Sequence, residues 1–271
     1  MSTLEAIVLG TVQGLTEFLP ISSTAHLRIV PAFCGWDDPG AAFTAITQLG
    51  TMTAVLLYFR TDLWNIARAW LRSLRDPAAR SEHDAKMGWY IILGTIPISV
   101  FGILLSHQIE NGARSLYLIG CTLILLGLVL QYADKVGTRE RDVESIDRTD
   151  AIVIGFAQAA ALIPGVSRSG ATLTAGLFRG LRRESAARYS FLLSVPAVVL
   201  SGVFELRHVG EGGGPGAAST ALATVIAFVV GYASIAFLLR YLTTHTVTVF
   251  VVYRVALGAL VLVLVSAGAI S

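Results

Sequence analysis

Charge is scarce in this chain. Only 14% of its 271 residues are Asp, Glu, Lys or Arg, whereas 54% are hydrophobic. A soluble domain carries about a quarter charged residues, so that class is excluded and an all-α polytopic membrane protein is expected. The net charge of +2 singles out no polyanionic partner. No nucleic-acid partner is expected; the bilayer is the partner that the composition implies. Cysteine is nearly missing too. Cys34 and Cys121 both fall in apolar segments and read as free buried thiols rather than a disulfide, and no zinc-ligand spacing exists. The first apolar run has no basic start and carries Glu5 and Glu17, so a cleaved signal peptide is not expected.

Polar groups are present in two places where the chain otherwise reads as membrane. The first is Gln13-Gly14-Leu15-Thr16-Glu17-Phe18-Leu19-Pro20-Ile21-Ser22-Ser23-Thr24-Ala25-His26. The second is Pro164-Gly165-Val166-Ser167-Arg168-Ser169-Gly170-Ala171-Thr172. An ionisable group in such surroundings is costly and is by default a site hypothesis. The two stretches are expected to face each other and form one anion-handling site.

Apolar spans are expected at 41–59, 89–107, 116–132, 186–204, 219–239 and 249–269, since a crossing takes roughly 20 apolar residues. The 60–88 loop holds Arg60, Arg68, Arg72, Arg75, Arg80 and Lys86, and the 134–150 loop holds Lys135, Arg139, Arg141 and Arg148. Lysine and arginine bias puts both in the cytoplasm. The turn through Asn111-Gly112 and the 205–218 loop carry one arginine each, Arg114 and Arg207, and go outside. The Gly-rich connector at 210–216 reads as a mobile loop. With that orientation, 1–40 begins and ends outside and 151–185 begins and ends inside. Each site stretch is then a re-entrant helical hairpin, broken at Pro20 or at Pro164-Gly165.

The halves also resemble each other. Ala6-Ile7-Val8-Leu9-Gly10-Thr11-Val12-Gln13 aligns with Ala151-Ile152-Val153-Ile154-Gly155-Phe156-Ala157-Gln158 at an offset of 145, and Ser22 then meets Ser167. The expected fold is a single membrane domain over 1–271 with an inverted-topology repeat: repeat one at 1–133, a cytoplasmic linker at 134–150, repeat two at 151–271. Each half is a re-entrant hairpin plus three transmembrane helices, an odd number, so the second copy is inverted. Such repeats place their site at the repeat interface near the midplane.

Chemistry is expected at the hairpin tips. Gln13 and Glu17 lie one helical turn apart and share a face. Glu17 either ligates a metal, with Gln13 nearby, or orients His26; the plain alternative is a carboxylate that braces its hairpin. Ser22, Ser23 and Thr24 taken singly read as helix caps. Clustered with His26, they become candidates for nucleophilic and acid–base work. Arg168 sits between Ser167 and Ser169 at a helix start, where backbone N–H groups and the dipole favour phosphate and a planar guanidinium matches its oxygens. It could equally pair with Glu17. Arg254, inside the last span, is a second intramembrane cation and a candidate phosphate contact. The composite favours hydrolysis of a phosphoester or pyrophosphate at a lipid-accessible site.

These residues resemble a known family, the integral-membrane undecaprenyl-diphosphate phosphatases, also called bacitracin-resistance proteins. Gln13 and Glu17 with Phe18-Leu19-Pro20-Ile21-Ser22-Ser23-Thr24 and His26 match its first motif; Pro164 to Thr172 match its second. Weaker similarity continues at Gln48-Leu49-Gly50, at Tyr189-Ser190-Phe191-Leu192-Leu193 with Pro196, and at Tyr253-Arg254. Gln13 stands where the family often has glutamate, which shifts weight onto Glu17. The resemblance implies removal of the terminal phosphate from undecaprenyl diphosphate, recycling the lipid carrier of cell-wall synthesis. It implies a polyprenyl diphosphate substrate, a divalent cation (Mg2+ or Ca2+), the bacterial inner membrane, and an active site open to the periplasm; it leaves room for a homodimer. By motif position Ser23 attacks the terminal phosphorus, His26 serves as base and then acid, and Glu17 orients His26 or holds the metal. Arg168, with Ser22, Thr24, Ser167, Ser169, Thr172 and Arg254, binds the phosphate oxygens. Water activated by His26 or the metal is the other nucleophile. Broken-helix inverted repeats also build carriers, so the competing function is a polyprenyl-phosphate flippase or anion transporter.

Overall fold

The structure is a computed structural model and describes residues 1–105, 115–205 and 216–270. The Asn111-Gly112 turn, Arg114, Arg207 and the connector through 210–215 lie outside the described residues. Among the described residues there are eleven α-helices and no β-strand. In chain order they are α1 Thr3–Phe18, α2 Ser23–Cys34, α3 Gly40–Tyr58, α4 Arg60–Arg75, α5 His83–Leu104 and α6 Leu116–Val136, then α7 Arg148–Ala159, α8 Arg168–Phe178, α9 Arg183–Glu205, α10 Ala217–Leu242 and α11 Thr248–Ser266.

Local chemistry sets the helix starts. Ser2 and Glu5 close a capping box at α1, with bonds of 3.0 and 3.2 Å. Asp147 and Asp150 close another at α7, at 2.9 and 3.0 Å. Among the described residues four helices are long and apolar enough to cross a bilayer: α5, α6, α10 and α11. A fifth span exists if α3 and α4, bent by 76°, count as one. The expected span at 186–204 lies in α9, which is not among them; its first turns carry Arg183, Glu184 and Arg188.

Three expectations are corrected. Residues 60–75 are a helix rather than a loop. Their arginines hide a stripe at helical spacing, Ile66, Ala69 and Ser73, which is buried. The expected second span begins earlier, because α5 starts at His83. Cys34 and Cys121 are free but exposed, since an apolar segment in a membrane protein turns one face outward.

α1 packs on α10 and α2, and α7 packs on α5 and α8. α3 packs on α10, and α9 on α5; α3 also meets α9, and α6 meets α11. Several of these contacts bring backbone against backbone. A Cβ on Gly10 would stand 2.5 Å from the Ala223 carbonyl oxygen, one on Gly155 2.6 Å from that of Gly94, and one on Gly258 2.8 Å from that of Gly120. At Gly50 it would run into the Thr224 carbonyl. Small residues allow this close approach, which is how helices associate where lipid removes the hydrophobic drive.

The linker is clamped by ion pairs. Buried Asp150 accepts from Arg141 and Arg179, each at 2.6 Å, and Asp134 accepts from Arg183 at 2.5 Å. Burial alone would raise the Asp150 carboxyl. The hydrogen bonds from Arg141 and Arg179 outweigh it and hold that group below the usual carboxylate range.

Candidate active site

The site lies at two chain breaks. α1 ends at Phe18 and α2 starts at Ser23; α7 ends at Ala159, a short turn covers Ala160–Leu162, and α8 starts at Arg168. Each break closes on a serine with positive φ: Ser22 at φ 76°, ψ 102°, and Ser167 at φ 69°, ψ 114°. Such a conformation costs a non-glycine residue roughly 1–3 kcal/mol and collects at functional sites. Both serines cap the helix that follows. Ser22 Oγ accepts from the Ala25 N–H at 3.4 Å and Ser167 Oγ from the Gly170 N–H at 3.2 Å. Thr24 Oγ1 lies 3.2 Å from Ser22 Oγ, and Ser169 Oγ 3.2 Å from Ser167 Oγ. The cap turns therefore deliver Ser23 and Arg168 as the first residues of their helices.

Glu17 is the centre. It is 8% exposed and takes four donors. Ser23 Oγ donates to Oε2 at 2.6 Å and Gln13 Nε2 to the same oxygen at 3.0 Å. Arg168 Nη2 donates to Oε1 at 2.5 Å and Gln48 Nε2 at 3.1 Å. Ser169 Oγ donates across to the Leu19 carbonyl at 3.2 Å, tying the second break to the first.

His26 is buried and sits in a separate network. Its Nδ1 lies 2.7 Å from the Ser22 carbonyl, and its Nε2 lies 2.7 Å from the Tyr253 hydroxyl. A carbonyl only accepts, so Nδ1 carries a proton and donates to it, while Nε2 pairs with the Tyr253 hydroxyl. The rings stack with centroids 5.5 Å apart. Among the described residues no hydrogen bond joins His26 to Ser23. The expected Ser23–His26 pair is replaced by Ser23–Glu17, because the imidazole folds back one turn onto the Ser22 carbonyl.

Two expected phosphate contacts point elsewhere. Arg254 is fully buried, and every nitrogen of its guanidinium donates to main-chain carbonyls. Nε reaches Leu123 at 3.1 Å, Nη1 reaches Pro20 at 3.0 Å and Val166 at 3.3 Å, and Nη2 reaches Gly165 at 3.1 Å. Nη2 also reaches Thr122 at 3.4 Å. Helix ends leave carbonyls without partners, and this arginine supplies the missing donors at both breaks. Thr172 Oγ1 is buried, bonded to the Arg168 carbonyl at 2.8 Å and to Ser190 Oγ at 2.5 Å. It braces α8 against α9.

Gln13, Glu17, Ser23 and Arg168 are thus brought together, with Ser22, Thr24, Ser167 and Ser169 as the capped turns beside them. Gln48 and Tyr253, noted above only within stretches of weaker similarity and not as site residues, also take part. The signal for each was one polar or phenolic group inside an apolar run. The arrangement provides a hydroxyl hydrogen-bonded to a carboxylate, with a guanidinium on the same carboxylate. That set can activate an oxygen nucleophile and bind a phosphoryl group beside it.

Residues 6–260 match the family model described as "Bacitracin resistance protein BacA". The chain is 58% identical over 269 residues to a Nocardioides sp. protein named undecaprenyl-diphosphatase, covering 99% of this chain and 98% of that one. It is 54% identical over 272 residues to the Myxococcus xanthus protein of the same name, covering 100% and 92%. Identity to undecaprenyl-diphosphatase 2 of Streptomyces coelicolor is 51% over 283 residues, covering 100% and 97%.

Proposed function

The chain belongs to the bacitracin resistance protein BacA family, and from that premise we propose that it is a membrane phosphatase that hydrolyses undecaprenyl diphosphate to undecaprenyl phosphate and inorganic phosphate. The observation that carries the reading is the Glu17 carboxylate, which holds the Ser23 hydroxyl on one oxygen and the Arg168 guanidinium on the other.

Ser23 Oγ attacks the terminal phosphorus while Glu17 takes its proton. The bond from that phosphorus to the bridging oxygen breaks, and undecaprenyl phosphate leaves with the electron pair. Water then attacks the phosphoserine, giving its proton to the catalytic groups, and inorganic phosphate departs as Ser23 is reprotonated. Arg168 shifts its donors from Glu17 to the phosphoryl oxygens, where charge spreads in the transition state. His26 holds the Ser22 carbonyl and so fixes the turn that aims Ser23.

The fit to a divalent cation rests on one atom. Gln13 Oε1 is buried without a hydrogen-bond partner, on the residue that donates to Glu17. Among the described residues no three His, Cys, Asp or Glu side chains form a metal cluster. Gln13 and Glu17 oxygens would hold a hard cation that comes with the diphosphate. Such an ion would neutralise charge on the diphosphate.

The finer architecture in this reading is an inverted repeat of two re-entrant hairpins in the bacterial inner membrane, with the site open to the periplasm. The matched caps at Ser22 and Ser167 support it. So does the packing: exchanging α1 with α7, α3 with α9 and α5 with α10 turns the α1–α10 and α3–α10 contacts into α7–α5 and α9–α5, all of which occur.

The test is phosphate release from undecaprenyl diphosphate by purified protein in detergent, with and without chelator. There no transport can occur, so a flippase or anion carrier gives none. Arg168→Lys keeps charge but loses the planar fork, and turnover should fall severely at unchanged melting temperature. Undiminished turnover in that variant would remove Arg168 from the phosphate site.

A further inference from the structure

One side of α4 is explained by packing and another is not. Ile66, Ala69 and Ser73 are buried. At 3.6 residues per turn, Arg60, Trp64, Arg68, Leu71 and Arg75 share a different face. All five are exposed, Trp64 by 68% and Leu71 by 56%.

The neighbours of α4 fix where this face stands. The chain bends by 76° as α3 gives way to α4. α5 is long and apolar enough to cross a bilayer, and its apolar run starts at Met87, after Asp84 and Lys86. α4 meets it at that boundary. The Trp70 and Trp89 rings lie 5.6 Å apart, and a Cβ on Gly88 would stand 2.9 Å from that of Trp70. Arg80 Nε donates to the Ser73 carbonyl at 3.1 Å and Arg72 pairs with Glu82, fastening the end of α4 to the turn before α5. At its start Asp62 accepts from Arg188 of α9 at 2.7 Å.

Those pairs occupy Asp62 and Glu82. Among the described residues Arg60, Arg68 and Arg75 pair with no carboxylate; Arg60 donates to the Leu57 carbonyl at 3.2 Å. Guanidinium groups are costly in hydrocarbon, and exposed tryptophan and leucine are disfavoured in water. One medium suits both on a single face. In the headgroup layer tryptophan collects, arginine stems lie along acyl chains, and guanidinium groups meet phosphate. Three unneutralised cations on that face favour anionic over zwitterionic lipid.

We propose that α4 lies in the headgroup layer and that Arg60, Arg68 and Arg75 bind the headgroups of anionic phospholipids there, with Trp64 and Leu71 seated among the acyl chains.

The test reconstitutes the full chain in an equal mixture of phosphatidylglycerol and phosphatidylcholine, extracts it in mild detergent, and measures the two lipids retained by native mass spectrometry. The unsubstituted protein should retain phosphatidylglycerol over phosphatidylcholine by about threefold or more. The triple variant Arg60→Gln, Arg68→Gln, Arg75→Gln, at matched melting temperature, should bring the ratio close to one. Equal retention by the unsubstituted protein, or an undiminished preference in the variant, overturns the proposal. Should the variant fail to fold, phosphatidylglycerol with a photoreactive headgroup is photolysed on the unsubstituted protein. Adducts on 60–75 are expected, and adducts confined to other helices overturn the proposal. So does efficient disulfide linking of Trp64→Cys chains after replacement of Cys34 and Cys121, because a second copy then covers the face.

Discussion

Glu17 gathers donors from three helices and the second break, and its two oxygens do different work. One accepts from the Ser23 hydroxyl and one from the Arg168 guanidinium. Removing either member of the Ser23–Glu17 pair should therefore disable the same step. Ser23→Ala and Glu17→Gln are each expected to lower phosphate release by about 10²- to 10⁴-fold. The double variant should be hardly worse, because groups acting as a unit are strongly non-additive. The measurement is kcat/KM of the three variants at matched thermal stability. If Ser23 proves coupled to His26 and additive with Glu17, the base is the imidazole. Glu17, Ser23 and Arg168 were legible in the sequence because each is a polar group inside an apolar stretch. The pairing was not. Gln48 reaches Glu17 from 31 positions away and Tyr253 reaches His26 from 227 away. No local spacing encodes such contacts.

At the scale of the helices, Arg254 carries a lesson about buried cations. An arginine in an apolar span invites a ligand, and the residue alone does not say whether an anion or main-chain carbonyls will meet it. The breaks at Pro20 and Gly165-Val166 supplied the carbonyls. Arg254→Met and Arg254→Lys should both destabilise the protein by about 3 kcal/mol or more, since each leaves buried acceptors without donors. Thermal unfolding in detergent reads this. A lysine variant with native stability and only a raised KM would return Arg254 to the phosphate. α4 was hidden for the opposite reason. Its arginines read as a loop, although Ile66, Ala69 and Ser73 stood at helical spacing throughout.

At the scale of the molecule, the inverted-repeat reading fixes which side each loop faces. After replacement of the exposed Cys34 and Cys121, Arg80→Cys should be protected from an impermeant thiol reagent in intact cells and Gly213→Cys should react. The reverse pattern would undo the topology. Span count was the least legible feature, because α9 mixes charge into its start and α3 joins α4 at a bend, so hydropathy alone undercounts both.

Arg254 has one more effect, felt through space rather than contact. It has a protonated guanidinium and a shell of carbonyls with no carboxylate among them. Glu17 and Arg168 cancel. The two breaks therefore enclose one positive charge in excess, sealed from solvent. Mobile ions damp fields between exposed charges over about 8–10 Å, but a buried charge is screened much less. The phosphate site thus rests in a standing positive potential that persists as ionic strength rises, and attraction of an anionic headgroup at this depth should be nearly indifferent to salt.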